Sequence, residues 1–188
     1  MNKNLLTDVP FNMLVVFLLL LVILIRMLNP PTEDAKAEPP GNLAVSIVWP
    51  PSDTDIDLWL TGPGEPRPVG YSHRGGLLWN LLRDDLGTVP DVTGANFETA
   101  YTRGAPVGEY TANVHCYRCK TLLPIPVQVE VAISTGDNTS MRVLFTATVT
   151  LVKNGQEKTA VRFYLTADGT VKPGSLNAVF RPLRSAKK

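Results

Sequence analysis

Residues 141–166, MRVLFTATVTLVKNGQEKTAVRFYLT, decide how the rest of the chain is read. Met141–Lys153 and Glu157–Thr166 alternate β-branched and aromatic side chains with polar ones, the period of a strand with one covered face. Between them, Lys153-Asn154-Gly155-Gln156 puts Asn-Gly where a two-residue hairpin turn needs positive φ, so the pair predicts a hairpin with a type I′ turn. A lone hairpin is marginal in water and calls for further strands. Leu43–Trp49, Asp55–Leu60, Phe97–Thr102, Glu109–Tyr117, Pro126–Ile133 and Leu176–Pro182 supply them. Frequent turns and many prolines between 30 and 68 punctuate these runs. The expectation for residues 43–188 is an all-β antiparallel sandwich. Leu77–Leu82 is the one stretch there that admits a helix. Trp49, Trp59 and Trp79 are assigned to the core or its rim, with ligand stacking by one of them as the alternative.

The N-terminal end follows another rule. Asp8 to Leu28 reads DVPFNMLVVFLLLLVILIRML, and from Phe11 to Ile25 it carries no charge and one polar side chain, Asn12. At ~1.5 Å per residue, Leu5–Leu28 is long enough for a hydrocarbon core of ~30 Å. The expected organisation is a cytoplasmic leader at 1–7, a single N-terminal transmembrane α-helix at 8–28, a Pro-rich linker at 29–42, and the sandwich ectodomain at 43–188. Asp8-Val9-Pro10 suits a helix start, with Asp as N-cap and Pro in the first turn. Asp8 is also an ionisable group at the mouth of a lipid-length run, which invites a functional role. Thr7 and Asn12 are the nearby polar groups, and Asn12 shares Asp8's face at i+4. Arg26 is expected to snorkel to the far headgroups. Ala35-Lys36-Ala37 matches a signal-peptidase site, so a cleaved signal is the competing reading. The length of the apolar run and the presence of Arg26 favour a retained anchor.

Net charge is +1, and sixteen basic and sixteen acidic side chains follow residue 29. A neutral domain offers no basic face for nucleic acid. Asp53, Asp55 and Asp57 alternate and would share one strand face, with Asp84-Asp85 as neighbours. Clustered oxygens of this kind suit Ca²⁺, although the spacing is not that of an EF-hand. The structural alternative pairs them with Arg74 and Arg83, or caps the turn at Ser52–Thr54. Cys116-Tyr117-Arg118-Cys119 reads as a local disulfide in an oxidising compartment, against a redox pair or half a zinc site. His73 and His115 complete no standard ligand set with it. No Ser/His/Asp grouping or glycine-rich phosphate loop stands out, so an enzyme is not expected.

Asp8-Val9-Pro10-Phe11-Asn12-Met13-Leu14-Val15-Val16-Phe17 resembles the start of the transmembrane helix in the ExbD/TolR/MotB family of ion-driven motor subunits. Those helices carry an acid followed by an aliphatic stretch with Phe nine positions on; here Pro10-Phe11 follows the acid, where ExbD-like members often have it before. The resemblance implies that Asp8 carries H⁺ or Na⁺. It also implies two copies inside a pentameric ring of MotA/TolQ/ExbB-like multi-span subunits in a bacterial inner membrane, the β-domain being periplasmic and coupled to an envelope target. A second resemblance runs over about 43–118. Asp53-Thr54-Asp55-Ile56-Asp57-Leu58-Trp59-Leu60, Tyr71-Ser72-His73-Arg74-Gly75-Gly76, Arg83-Asp84-Asp85-Leu86-Gly87 and Pro106-Val107-Gly108-Glu109-Tyr110 are similar in order to YfaP-like β-sandwich domains of bacterial envelope proteins. It implies a fold and a compartment rather than an activity. The alternative function is a membrane-tethered periplasmic binding module that moves no ion.

Overall fold

The computed structural model describes residues 5–28, 41–87, 95–119, 123–134 and 140–184, and within the helix the side chains of residues 9–25 and 27. The chain divides into two compact units, Met1–Ala37 and Glu38–Lys188. The expected leader before residue 5, most of the linker, the Ala35-Lys36-Ala37 site and the side chain of Arg26 lie outside the described residues.

The first unit holds α1, Leu5–Leu28. It begins three residues ahead of the expected start, because Leu5 and Leu6 are good helix formers and extend it upstream. Asp8 therefore lies within the helix rather than capping it. Pro10 is interior and, lacking an N–H, leaves one carbonyl a turn earlier without its usual partner. Every side chain from Val9 to Ile25 is exposed, so the helix shows an apolar surface on all sides. Counted over the described residues alone, no helix is long and apolar enough to cross a membrane.

The second unit is two antiparallel sheets over one core. Its strands are β1 (Leu43–Trp49), β2 (Asp55–Thr61), β3 (Trp79–Arg83), β4 (Asn96–Thr102), β5 (Gly108–Arg118), β6 (Ile125–Ser134), β7 (Met141–Leu151) and β8 (Glu157–Leu165). One sheet runs β3-β4-β1-β6-β7 and the other β2-β5-β8. Leu43, Val45, Ile47 and Trp49 alternate inward from β1, and Ile125, Val127, Val129 and Val131 from β6. Across from them stand Ile56, Leu58 and Leu60 of β2, Tyr110, Ala112 and Val114 of β5, and Val161, Phe163 and Leu165 of β8. An aromatic set ties the layers together: Tyr110 stacks on Phe163 with centroids 5.3 Å apart, and Trp79 meets Tyr110 edge-on at 6.2 Å.

Three expectations change. A strand not expected from the sequence, β3, occupies Trp79–Arg83 as the end strand beside β4, with Trp79 and Leu81 turned into the core, and the stretch 77–82 forms no helix, in keeping with the all-β expectation. Leu176–Pro182 is not a strand. Asn177 exchanges backbone hydrogen bonds with Arg162, but the next donor, Val179 N–H, goes to the Asn177 side chain, and Arg181 N–H goes to Thr159 Oγ1. Side-chain acceptors replace the ladder there.

The third change concerns the 141–166 pair. The turn is present: Gln156 N–H donates to the Lys153 carbonyl, and Gly155 has φ +75°. Yet β7 and β8 do not pair with each other. β7 joins β6 and β8 joins β5, so the turn carries the chain from one sheet to the other. The corner is pinned from outside, with Gly155 N–H donating to the Cys116 carbonyl and Cys119 N–H to Asn154 Oδ1. Gln156 Oε1 accepts Val152 N–H at 2.7 Å.

Candidate functional site: a carboxylate cluster at the edge of the smaller sheet

β2 is buried along its whole length, on both faces. Its inward side chains, Ile56, Leu58 and Leu60, belong to the core. The opposite face carries Asp55, Asp57 and Trp59, and it is covered too. Gly70 lies flat on the Trp59 indole, close enough that a Cβ there would stand 2.6 Å from the ring, and Tyr71 meets the same ring at 5.6 Å. Over β5, the C-terminal segment closes down: Asn113 Nδ2 donates to the Arg181 carbonyl, and Arg184 reaches His115.

β2 also ends its sheet, so its outer backbone edge needs partners. Leu60 exchanges two hydrogen bonds with Val69, each 2.8 Å. Leu58 N–H is met instead by Glu98 Oε2 at 2.7 Å, reaching across from β4 of the other sheet. Glu98 is fully buried, and its second oxygen accepts Asp85 N–H at 3.4 Å. Glu98 thereby joins an acidic group, in which single carboxylate oxygens of Asp57, Asp84 and Glu98 all lie within 4.8 Å of one another.

His115 sits directly across from Asp57 in the β2–β5 register. Its Nδ1 is 2.7 Å from Asp57 Oδ2, and its Nε2 is 2.7 Å from the Arg184 guanidinium. Arginine can only donate, so Nε2 is the acceptor and Nδ1–H donates to Asp57. Both ring nitrogens are thus committed. The neighbouring arginines are engaged as well: Arg83 pairs with Asp85 at 3.0 Å, and Arg118 with Asp53 at 3.3 Å and the Leu86 carbonyl at 2.7 Å.

Burial raises these acids. Asp55 is pushed up to about 6, first by desolvation and then by the Asp57 charge, with Asp84 and Asp85 adding and Arg118 opposing. Desolvation also raises Asp57 against its bond to His115. Glu98 rises well above the ordinary glutamate value, again first by desolvation, against the bond from Leu58. A folded-state pKa above the unfolded one means that the folded chain holds more protons, so this stability is complete below about pH 4 and is lost as pH rises through the folded value. With divalent cations chelated, the unfolding midpoint of the β unit should fall between pH 4.5 and 7.5. Asp55 alone, moving from 3.8 to about 6, contributes roughly 2 kcal/mol to the loss across that window. Thermal melts in EDTA across this range check it, and a midpoint that rises with pH would refute it.

The structure brings together only part of the expected acidic face. Asp55 and Asp57 stand on one side of β2, but Asp53 precedes the strand, is 62% exposed in its side chain and pairs with Arg118. Asp84 enters the cluster, whereas Asp85 accepts Gly87 and Phe97 N–H and pairs with Arg83. Glu98 was not singled out in the sequence, and His115 was weighed there only as a ligand that completes no standard set. The available signal for Glu98 was its phase in β4, shared with Ala100 rather than with Phe97 and Tyr101. Cys116 and Cys119 are joined in a buried disulfide. Asn12 is exposed on α1, and the side chains of Thr7 and Asp8 lie outside those described. No family model, curated protein or solved structure matches the chain.

Proposed function

We propose that the chain is a B-type subunit of a proton-motive-force-driven inner-membrane motor. α1 crosses the membrane, Asp8 carries H⁺ or Na⁺, and the β unit couples to an envelope target. The observation that carries this reading is the place of Asp8 inside α1, one turn before Asn12 and at the head of seventeen uncharged, exposed side chains. A helix apolar on every side needs lipid or other helices around it, and its twenty-four residues rise ~36 Å against a ~30 Å hydrocarbon core. An acid placed within such a helix is costly unless it serves transport or pairs with a neighbour. Two copies stand inside a pentameric MotA/TolQ/ExbB-like ring, as in the family whose helix this one resembles.

The second reading is a membrane-tethered envelope module with no transport, and the buried acidic cluster favours it by placing unusual chemistry in the β unit instead. Native mass spectrometry of the full chain, co-expressed with a MotA/TolQ/ExbB-like multi-span membrane protein from the same source and purified in mild detergent, separates the two. The motor reading expects two copies with five of the larger subunit. A monomer or homo-oligomer that retains no partner would overturn it in favour of the tether.

A further inference from the structure

The carboxylates around β2 come from three separate parts of the chain: Asp55 and Asp57 from the strand, Asp84 from the segment after β3, and Glu98 from β4. Two oxygens bound to one cation at ~2.4 Å can stand no more than ~4.8 Å apart, and oxygens of Asp57, Asp84 and Glu98 all meet that limit. An independent feature points the same way. Asp55 is 4% exposed, and its Oδ1 is buried without any hydrogen-bond partner. It projects from the same face of β2 as Asp57, two residues away, and its carboxylate feels the charges of both Asp57 and Asp84. A buried carboxylate oxygen without a donor is expensive, and native proteins rarely leave one so. Asp84 Oδ1 is a second buried oxygen in the same condition.

We propose that Asp57, Asp84 and Glu98, with Asp55 beside them, bind one Ca²⁺ at the outer edge of β2. The donor set selects the ion. The nearest imidazole, His115, has both nitrogens in use, and the two cysteines are joined to each other, so neither supplies a ligand. What remains is carboxylate oxygen, the chemistry of hard cations. Three carboxylates from three segments, each able to bind through one or two oxygens and with Asp55 beside them, suit the six to eight ligands and loose geometry of Ca²⁺, completed by water, better than the strict octahedron of Mg²⁺. The nearest guanidinium groups do not already fill this role, since Arg118 is given to Asp53 and Arg184 to His115. The bound ion joins the edge of the smaller sheet to β4 of the larger one. The proposal does not depend on whether the chain is a motor subunit or a tethered module.

The test uses the full chain in mild detergent, stripped with EDTA and titrated with CaCl₂ by calorimetry, alongside thermal melts in EDTA, CaCl₂ and MgCl₂. One Ca²⁺ per chain and a higher melting midpoint in Ca²⁺ are expected. Glu98→Gln and Asp55→Asn should each weaken binding by about tenfold or more, because ligand charge sets affinity in such sites. If Glu98→Gln does not fold, Asp55→Asn and Asp84→Asn carry the comparison. Coincident melts in EDTA and Ca²⁺ with no heat of binding up to millimolar Ca²⁺ would overturn the proposal, leaving shared protons to hold the cluster together. Ca²⁺ binding that these variants leave unchanged would overturn the assignment to these residues, and tighter binding of Mg²⁺ would overturn the choice of ion.

Discussion

On the proposed motor reading, Asp8→Asn should reduce ion-driven activity to background while expression, membrane insertion and assembly with the ring partner stay as in the parent chain. Asparagine matches aspartate in size and keeps hydrogen-bonding capacity, but it cannot take up and release a proton or hold a cation by charge. Removing the carboxylate from an apolar helix also removes a cost, so α1 should insert at least as well. The loss would therefore be chemical rather than structural. Proton uptake into vesicles carrying the chain and its partner provides the measurement, and native mass spectrometry of the variant provides the assembly control. On the same reading Asn12→Ala, one turn on, should slow uptake without abolishing it, since it removes a polar neighbour on the same helix face and leaves the acid in place. Full uptake by the Asp8→Asn chain would move the carrier elsewhere, and loss of both uptake and assembly would make Asp8 a structural group.

Phe163→Ala should cost the β unit ~3–5 kcal/mol, a large part of the ~5–15 kcal/mol that stabilises a typical domain. The ring is 1% exposed and packs between Tyr110, stacked at 5.3 Å, and Phe145, edge-on at 5.2 Å. Those two contacts join β5 and β8 of one sheet to β7 of the other, so no single strand can shift to close the hole. Transfer and cavity terms both apply. At a slope of ~2 kcal/mol/M in urea, the midpoint should fall by ~2 M. Tyr164→Ala is the control one residue along: it is 38% exposed, and its ring meets Lys172 at 5.6 Å, a contact of ~0.5–1 kcal/mol. Equal midpoints for the two variants would mean that the aromatic set does not hold the layers together.

Much of the fold was legible strand by strand. Leu43–Trp49 matches its expected bounds, and β4 to β8 lie within one or two residues of theirs, because period-two alternation is a local property that any covered sheet face imposes. The turn at 153–156 was legible for the same reason, since Asn-Gly answers to backbone geometry alone. What the turn connects was not. A hairpin signal fixes a reversal over four residues, while the choice of partner for β7 and β8 depends on which strands, far away in sequence, complete each sheet. Residues 79–83 show the other limit: WNLLR has no strong period, and its place beside β4 comes from Trp79 and Leu81 finding the core.

The acidic site divides along the same line. Alternation put Asp55 and Asp57 on one face, and that is where they stand, but an alternating strand is ordinarily taken to turn its charges to water. Here the second face of β2 is covered by the segment around Gly70 and by the C-terminal segment over β5, and both are long-range events. Glu98 illustrates the point most plainly. The phase of β4 allows either Phe97 and Tyr101 or Glu98 and Ala100 to face inward, and hydrophobicity favours the aromatic pair. The unpaired Leu58 N–H at the end of the smaller sheet supplies the reason for the other choice. By itself, the sequence determined an apolar helix with an acid near its start and a set of strands, because both are local features of the chain. Only the tertiary structure decided which strands pair, which acids are buried and which of them meet, because desolvation and edge capping arise only when distant segments come together.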